Sequence, residues 1–119
     1  MIHYNVWFSL KPAIEESQGL QLVRDFLSQL SEAGEASAFT LLRNSGSPPR
    51  SKLPRYQAHV VFRSPEALSE AMTLQAQRGI HQGAHGRVID AVSEFHVEVF
   101  SEISPATPAD RDHVYACAI

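Results

Sequence analysis

The chain has 119 residues, 44% of them hydrophobic and 19% charged, with a formal net charge of -3. That length suits one domain with a modest core, and the charge balance gives no global pull toward nucleic acid. No apolar run approaches the roughly 18 residues of a membrane span, no basic-then-apolar signal-peptide opening is present, and the single cysteine, Cys117, excludes an intrachain disulfide and fits a reducing cytosol.

Apolar residues alternate from the start. Ile2, Tyr4, Val6, Phe8 and Leu10 form one set, and His3, Asn5, Trp7 and Ser9 the other. Successive strand side chains point to opposite faces, so the pattern predicts a first strand with one dry face and one mixed face. Lys11-Pro12 ends it, because proline lacks the donor a strand ladder needs. Leu20, Val23, Phe26, Leu27 and Leu30 then recur at helical spacing, with Gly34 as the stop. Gly19 weakens the first turn, which places the helix start near it.

Residues 36–43 read as a second strand whose faces stay open, since Phe39 and Leu41 oppose Ala38, Thr40 and Leu42. Residues 44–55, rich in proline and serine, are a loop that is long for a hairpin. The third strand sets Ala58, Val60 and Phe62 against Gln57 and His59. Ser64-Pro65-Glu66 is a strong helix start, with Leu68, Ala71, Met72 and Gln75 on its inner stripe. Residues 79–86 hold three glycines and two histidines and read as a loop, with a short helix around Val88, Ala91 and Val92. The last strand sets Phe95, Val97 and Val99 against His96, Glu98 and Phe100.

The order is β-α-β-β-α-β with a helical insert before the final strand. This is the α+β, ferredoxin-like arrangement, an antiparallel sheet in the order 4-1-3-2 with its helices on one face. Residues 1–103 are expected to form the domain. The tail, 104–119, is expected to be separate, its apolar end at 114–119 docking on a partner subunit and Cys117 a surface thiol.

Trp7, Val61 and Phe100 are too apolar to leave the mixed face open, and a second copy of the same sheet is the simplest cover. The sequence Tyr4-Asn5-Val6-Trp7-Phe8-Ser9-Leu10-Lys11-Pro12 resembles the opening of a group of small uncharacterised bacterial proteins, which runs Tyr, two residues, Trp, two residues, Leu-Lys-Pro. His59-Val60-Val61 is similar to that group's third strand, and His85, Val88, Val92 and Phe95 fit the segment before its last. The resemblance implies a dimeric α+β barrel and no established activity. The chain departs from the group after Arg43, where the proline-rich stretch replaces a glycine-rich hairpin loop, and at Glu102-Ile103-Ser104, which replaces an aromatic, acidic close.

Three of the six histidines, His3, His59 and His96, fall on the mixed face with Asn5, Trp7, Gln57 and Glu98. Histidine exchanges a proton near neutral pH, and a carboxylate beside it raises its pKa and fixes its tautomer. In a catalytic reading His59 or His96 is the base, Glu98 orients it and Asn5 steadies an oxyanion. His3, Asn5, Trp7 and Gln57 are then ligand-binding residues around an enolisable or aromatic compound. The same residues also read as the polar part of a wet dimer seam, which would make the protein a non-catalytic interaction module. A zinc or iron site would need compact ligand spacing, which no histidine pair shows on a helix. No metal or cofactor is therefore expected, and His81 and His85 read as solvated loop residues. Arg43, Arg50, Lys52, Arg55 and Arg63 lie in a stretch without acids, between Glu35 and Glu66. A solvated loop is the default for it, since only Tyr56 offers a ring on which a base could stack. No phosphate-loop, dinucleotide, nucleophile-elbow or Cys-x-x-Cys motif is present. The chain reads as a cytoplasmic homodimer that binds a small molecule, with neither nucleic acid nor membrane as partner.

Overall fold

A computed structural model describes residues 1–103. Cys117 and the tail expected to dock on a partner lie outside the described residues. The elements are β1 (Ile2–Leu10), α1 (Glu16–Glu32), β2 (Ala38–Arg43), β3 (Tyr56–Phe62), α2 (Pro65–Arg78), α3 (Gly83–Ala91) and β4 (Val92–Ser101). The four strands form one antiparallel sheet in the order β2-β3-β1-β4, the expected ferredoxin-like topology.

The register sorts the side chains. Ile2 pairs with Phe62, Tyr4 with Val60 and Val99, Val6 with Ala58 and Val97, and Phe8 with Tyr56 and Phe95. These sets share the face covered by the helices, where Val23, Leu27 and Leu30 of α1 and Leu68 and Ala71 of α2 complete the core. Phe62 and Leu68 are each 1% exposed and are the most deeply buried large side chains among the described residues. β2 joins the same scheme: Phe39 lies opposite Val60 and Leu41 opposite Ala58, so both face the helices, while Ala38, Thr40 and Leu42 take the mixed face.

Three boundaries differ from the sequence reading. Helix α1 begins at Glu16, upstream of Gly19. A Cβ at position 19 would lie 2.5 Å from Leu10 Cδ1, so the missing side chain lets the first turn close on the end of β1. β2 begins at Ala38, although Ser37 N still donates to Val61 O at 2.8 Å. Residues 83–86, read as loop, form the first turn of α3. Gly83 has φ 58 at the entry, and a Cβ on Gly86 would meet the His81 carbonyl oxygen at 2.3 Å. Those glycines serve a tight helix entry. The α2 start matches expectation: Ser64 Oγ accepts from Ala67 N at 3.1 Å, Pro65 opens the helix, and Gly79 with φ 92 closes it.

Candidate functional site

The expected mixed-face residues do come together. The register places His59 and Glu98 on either side of Asn5, and Gln57 and His96 on either side of Trp7. Most of their polar groups bond to one another. Gln57 Nε2 donates to Asn5 Oδ1 at 2.8 Å, and Asn5 Nδ2 donates to the His3 carbonyl at 3.2 Å, so the amide cast as an oxyanion donor is engaged within the sheet. Glu98 bonds His96 Nε2 at 2.8 Å, and the His96 ring lies 6.1 Å from Trp7. His59 has a different partner: its Nε2 is 2.8 Å from His3 Nδ1, with the two rings stacked at 5.0 Å. His3 Nε2 in turn bonds Glu102 at 2.9 Å. A carboxylate can only accept from it, so that nitrogen carries hydrogen, and in the neutral ring Nδ1 takes the His59 N–H.

Burial, and secondarily the nearby His3, hold the His59 pKa below the ordinary imidazole value of 6.5. The hydrogen bond from His3 is the main cause holding Glu102 below the usual carboxylate value. For His59 the unfolded chain then takes the proton first, so its stabilising contribution is complete above pH 6.5 and lost as the pH falls from there toward the lowered folded value. Proton NMR of the His59 ring should give a midpoint below 6.5, moving upward in His3→Gln. A wild-type midpoint at or above 6.5 would contradict the arrangement.

The mixed face encloses nothing in the single chain. Phe100 is 54% and Leu42 48% exposed there. The basic loop lies at the sheet end, where an open groove of about 330 Å³ runs between Lys52, Leu53 and Pro54 on one side and Glu94, Phe95 and His96 on the other. Part of its charge is already matched, because Arg43 and Arg55 both pair with Glu16 of α1, which also accepts from the Tyr56 hydroxyl at 2.8 Å. Among the described residues no three His, Cys, Asp or Glu side chains are grouped to hold a metal ion.

A cavity lies on the other face, between the sheet and the helices. It has a volume of about 110 Å³ and walls from β1, β3, β4 and all three helices, including Val6, Phe26, Leu30 and Val88. None of His3, His59 or His96 borders it. In a single chain only the helix side has a second layer to close over it, whereas a pocket on the mixed face takes its cover from a second sheet. Phe95 lines both this cavity and the groove at the sheet end.

Polar side chains are few in this cavity: Tyr4, Gln75 and His85. His85, expected in a solvated loop, is 6% exposed on the first turn of α3, with the edge of Phe26 against it at 5.0 Å between ring centres. Its Nδ1 lies 2.5 Å from the Ile80 carbonyl oxygen. A carbonyl accepts and never donates, so Nδ1 carries the hydrogen and Nε2 of the neutral ring holds the lone pair. Neither Nε2 nor the Gln75 amide, whose residue is 7% exposed, hydrogen-bonds another described side chain or backbone group. Both groups therefore keep hydrogen-bonding capacity beside the cavity. The sequence held one signal for His85: it stands three residues before Val88 and seven before Val92, a helical inner stripe.

The profile of a family of unknown function, DUF6614, matches residues 1–114. No curated protein matches the chain. Among solved structures, the chain is similar to the Arabidopsis thaliana protein At3g17210, with a TM-score of 0.67, 13% identity, and cover of 90% of this chain and 100% of that one. A dabb family protein with a ferredoxin-like fold from Mesorhizobium loti gives a TM-score of 0.58 and 18% identity, covering 87% of this chain and 97% of that one. A hydroxynitrile lyase from Passiflora edulis gives a TM-score of 0.61 and 12% identity, covering 90% and 96%. At such identities these likenesses establish the ferredoxin-like fold.

Proposed function

The chain belongs to the DUF6614 family, a family of unknown function, and from that premise we propose that it binds a small molecule in the cavity under its helices and moves a proton there with His85. The carrying observation is the His85 ring, buried at an apolar cavity with Nδ1–H fixed on the Ile80 carbonyl and the Nε2 lone pair unengaged. A base so placed can take a proton from a carbon next to a carbonyl. The C–H bond breaks, its electron pair moves onto the carbonyl oxygen as an enolate, and an Nε2–H bond forms. The Ile80 carbonyl supports the resulting imidazolium through Nδ1–H, and the Gln75 amide N–H is available to the enolate oxygen. That a hydroxynitrile lyase shares the fold is in keeping with lyase-type acid-base chemistry on this scaffold, though only by analogy.

The mixed face is read here as the seam of a homodimer. Its apolar members Trp7, Leu42 and Phe100 need a cover, and its polar members are satisfied largely among themselves, which suits a packed wet interface better than a substrate site. His59, His96 and Glu98 are then seam residues with a hydrogen-bonding role. The lone cysteine fits a cytosolic setting.

Ring nitrogen NMR tests the site. On saturation with cyclohexanone, a small enolisable ketone, the Nε2 resonance of His85 should shift while Nδ1 stays protonated and the His59 and His96 rings hold still. A shift confined to His59 or His96 would return the site to the mixed face.

A further inference from the structure

We infer that the ligand of this cavity is an uncharged molecule of no more than about one six-membered ring, carrying a hydrogen-bonding oxygen at one end. The inference rests on the cavity being the ligand site and adds the chemical class that the site accepts. Two features of the walls carry it.

The first is charge. Among the described residues, no Asp, Glu, Lys or Arg borders the cavity. An ionised group moved from water to such a place finds no counter-charge, and the cost far exceeds what a few apolar contacts return. Lys52 and Arg55 belong to the loop at the sheet end and are not on the cavity wall. The second is size. The volume of about 110 Å³ is far below the ~300–1,000 Å³ of drug-sized sites and close to the roughly 150 Å³ that houses one benzene in an engineered apolar cavity. A fused second ring would have to displace Phe62 or Leu30, which already pack in the core at 1% and 7% exposure. The polar pair then fixes orientation. An oxygen of the ligand can take the Gln75 amide N–H and an acidic C–H or O–H can face His85 Nε2, with the hydrocarbon remainder against Val6, Phe26 and Val88.

The test uses three probes on the full chain at pH 8. They are cyclohexanone, cyclohexanecarboxylate and 2-decalone. Methyl resonances of Val6, Leu27 and Val88 report occupation of the cavity, and titration gives each affinity. The expected result is methyl shifts with cyclohexanone, at least about 100-fold weaker binding of the carboxylate, and no shift with decalone. Val88→Phe, which fills the cavity from the α3 side, should abolish the cyclohexanone shifts at Val6 and Leu27 while circular dichroism stays unchanged. If the carboxylate or the bicycle moves the same methyls with equal affinity, the cavity is the site but its ligand class is wrong. If no probe moves those methyls, the cavity reading itself fails and this inference with it.

Discussion

Replacing Trp7 with Asp should turn the protein into a folded monomer. Trp7 sits on the mixed face between Gln57 and His96, with the His96 ring 6.1 Å away. Leu42 and Phe100 extend the apolar part of that face on either side and are about half exposed in the single chain. A second sheet closing over them buries the indole at the centre of the seam, where aromatic anchors carry most association energy. An aspartate there would lose the apolar contact and desolvate a charge, at about 2–3 kcal/mol per site. Twofold symmetry counts it twice, so the dissociation constant should rise by roughly 10³–10⁴-fold. The core lies on the opposite face and does not involve this residue, so the monomer should keep its circular dichroism. Sedimentation should show a wild-type dimer and a Trp7→Asp monomer at micromolar concentration. A wild-type monomer under those conditions would remove the seam from the account.

The two halves of this molecule were unequally legible in its sequence. Strict alternation in Ile2–Leu10 and Tyr56–Phe62 carried the faces of β1 and β3 directly, because a half-buried strand repeats every two residues; burial follows that beat throughout β3, while in β1 Asn5 breaks it by being buried on the mixed face. The faces of β2 could not be read that way. Phe39 and Leu41 alternate with Ala38, Thr40 and Leu42, which is hardly less apolar a set, and only the pairing of Phe39 with Val60 decides between them. The mixed face could be read in outline because its histidines stand out chemically, yet the bonds inside it could not. His3 reaches diagonally to His59 rather than to a register partner, and Glu102, past the end of β4, completes the chain.

The cavity was hidden for a different reason. Most residues that line it, Val6, Leu30 and Val88 among them, read as ordinary core, and whether a core has a void depends on how volumes fit across elements rather than on any pattern along one. His85 was masked by its neighbours. Gly83 and Gly86 suggest a loop, whereas Gly83 supplies a left-handed entry to α3 and Gly86 leaves room for the His81 carbonyl. The same close approach keeps the 80–82 turn against α3, within reach of His85 Nδ1.

The largest kinetic effect belongs to that histidine. In heavy water, the wild-type protein should exchange the α-hydrogens of cyclohexanone for deuterium faster than buffer alone. Abstraction at Nε2 followed by return of a solvent deuteron exchanges the position without consuming the ketone. A positioned general base contributes about 10²–10⁴-fold to such a step. His85→Ala should lose that factor, and His85→Gln, which preserves bulk and the chance of a bond to Ile80, should lose it as fully. His59→Ala and His96→Ala should retain the wild-type rate, since neither ring borders the cavity. The exchange rate measured across these variants therefore tests the central claim most directly: loss in both His85 variants with retention in the His59 and His96 variants is the expected result. Exchange that survives in His85→Ala, or disappears only with His59 or His96, would contradict it.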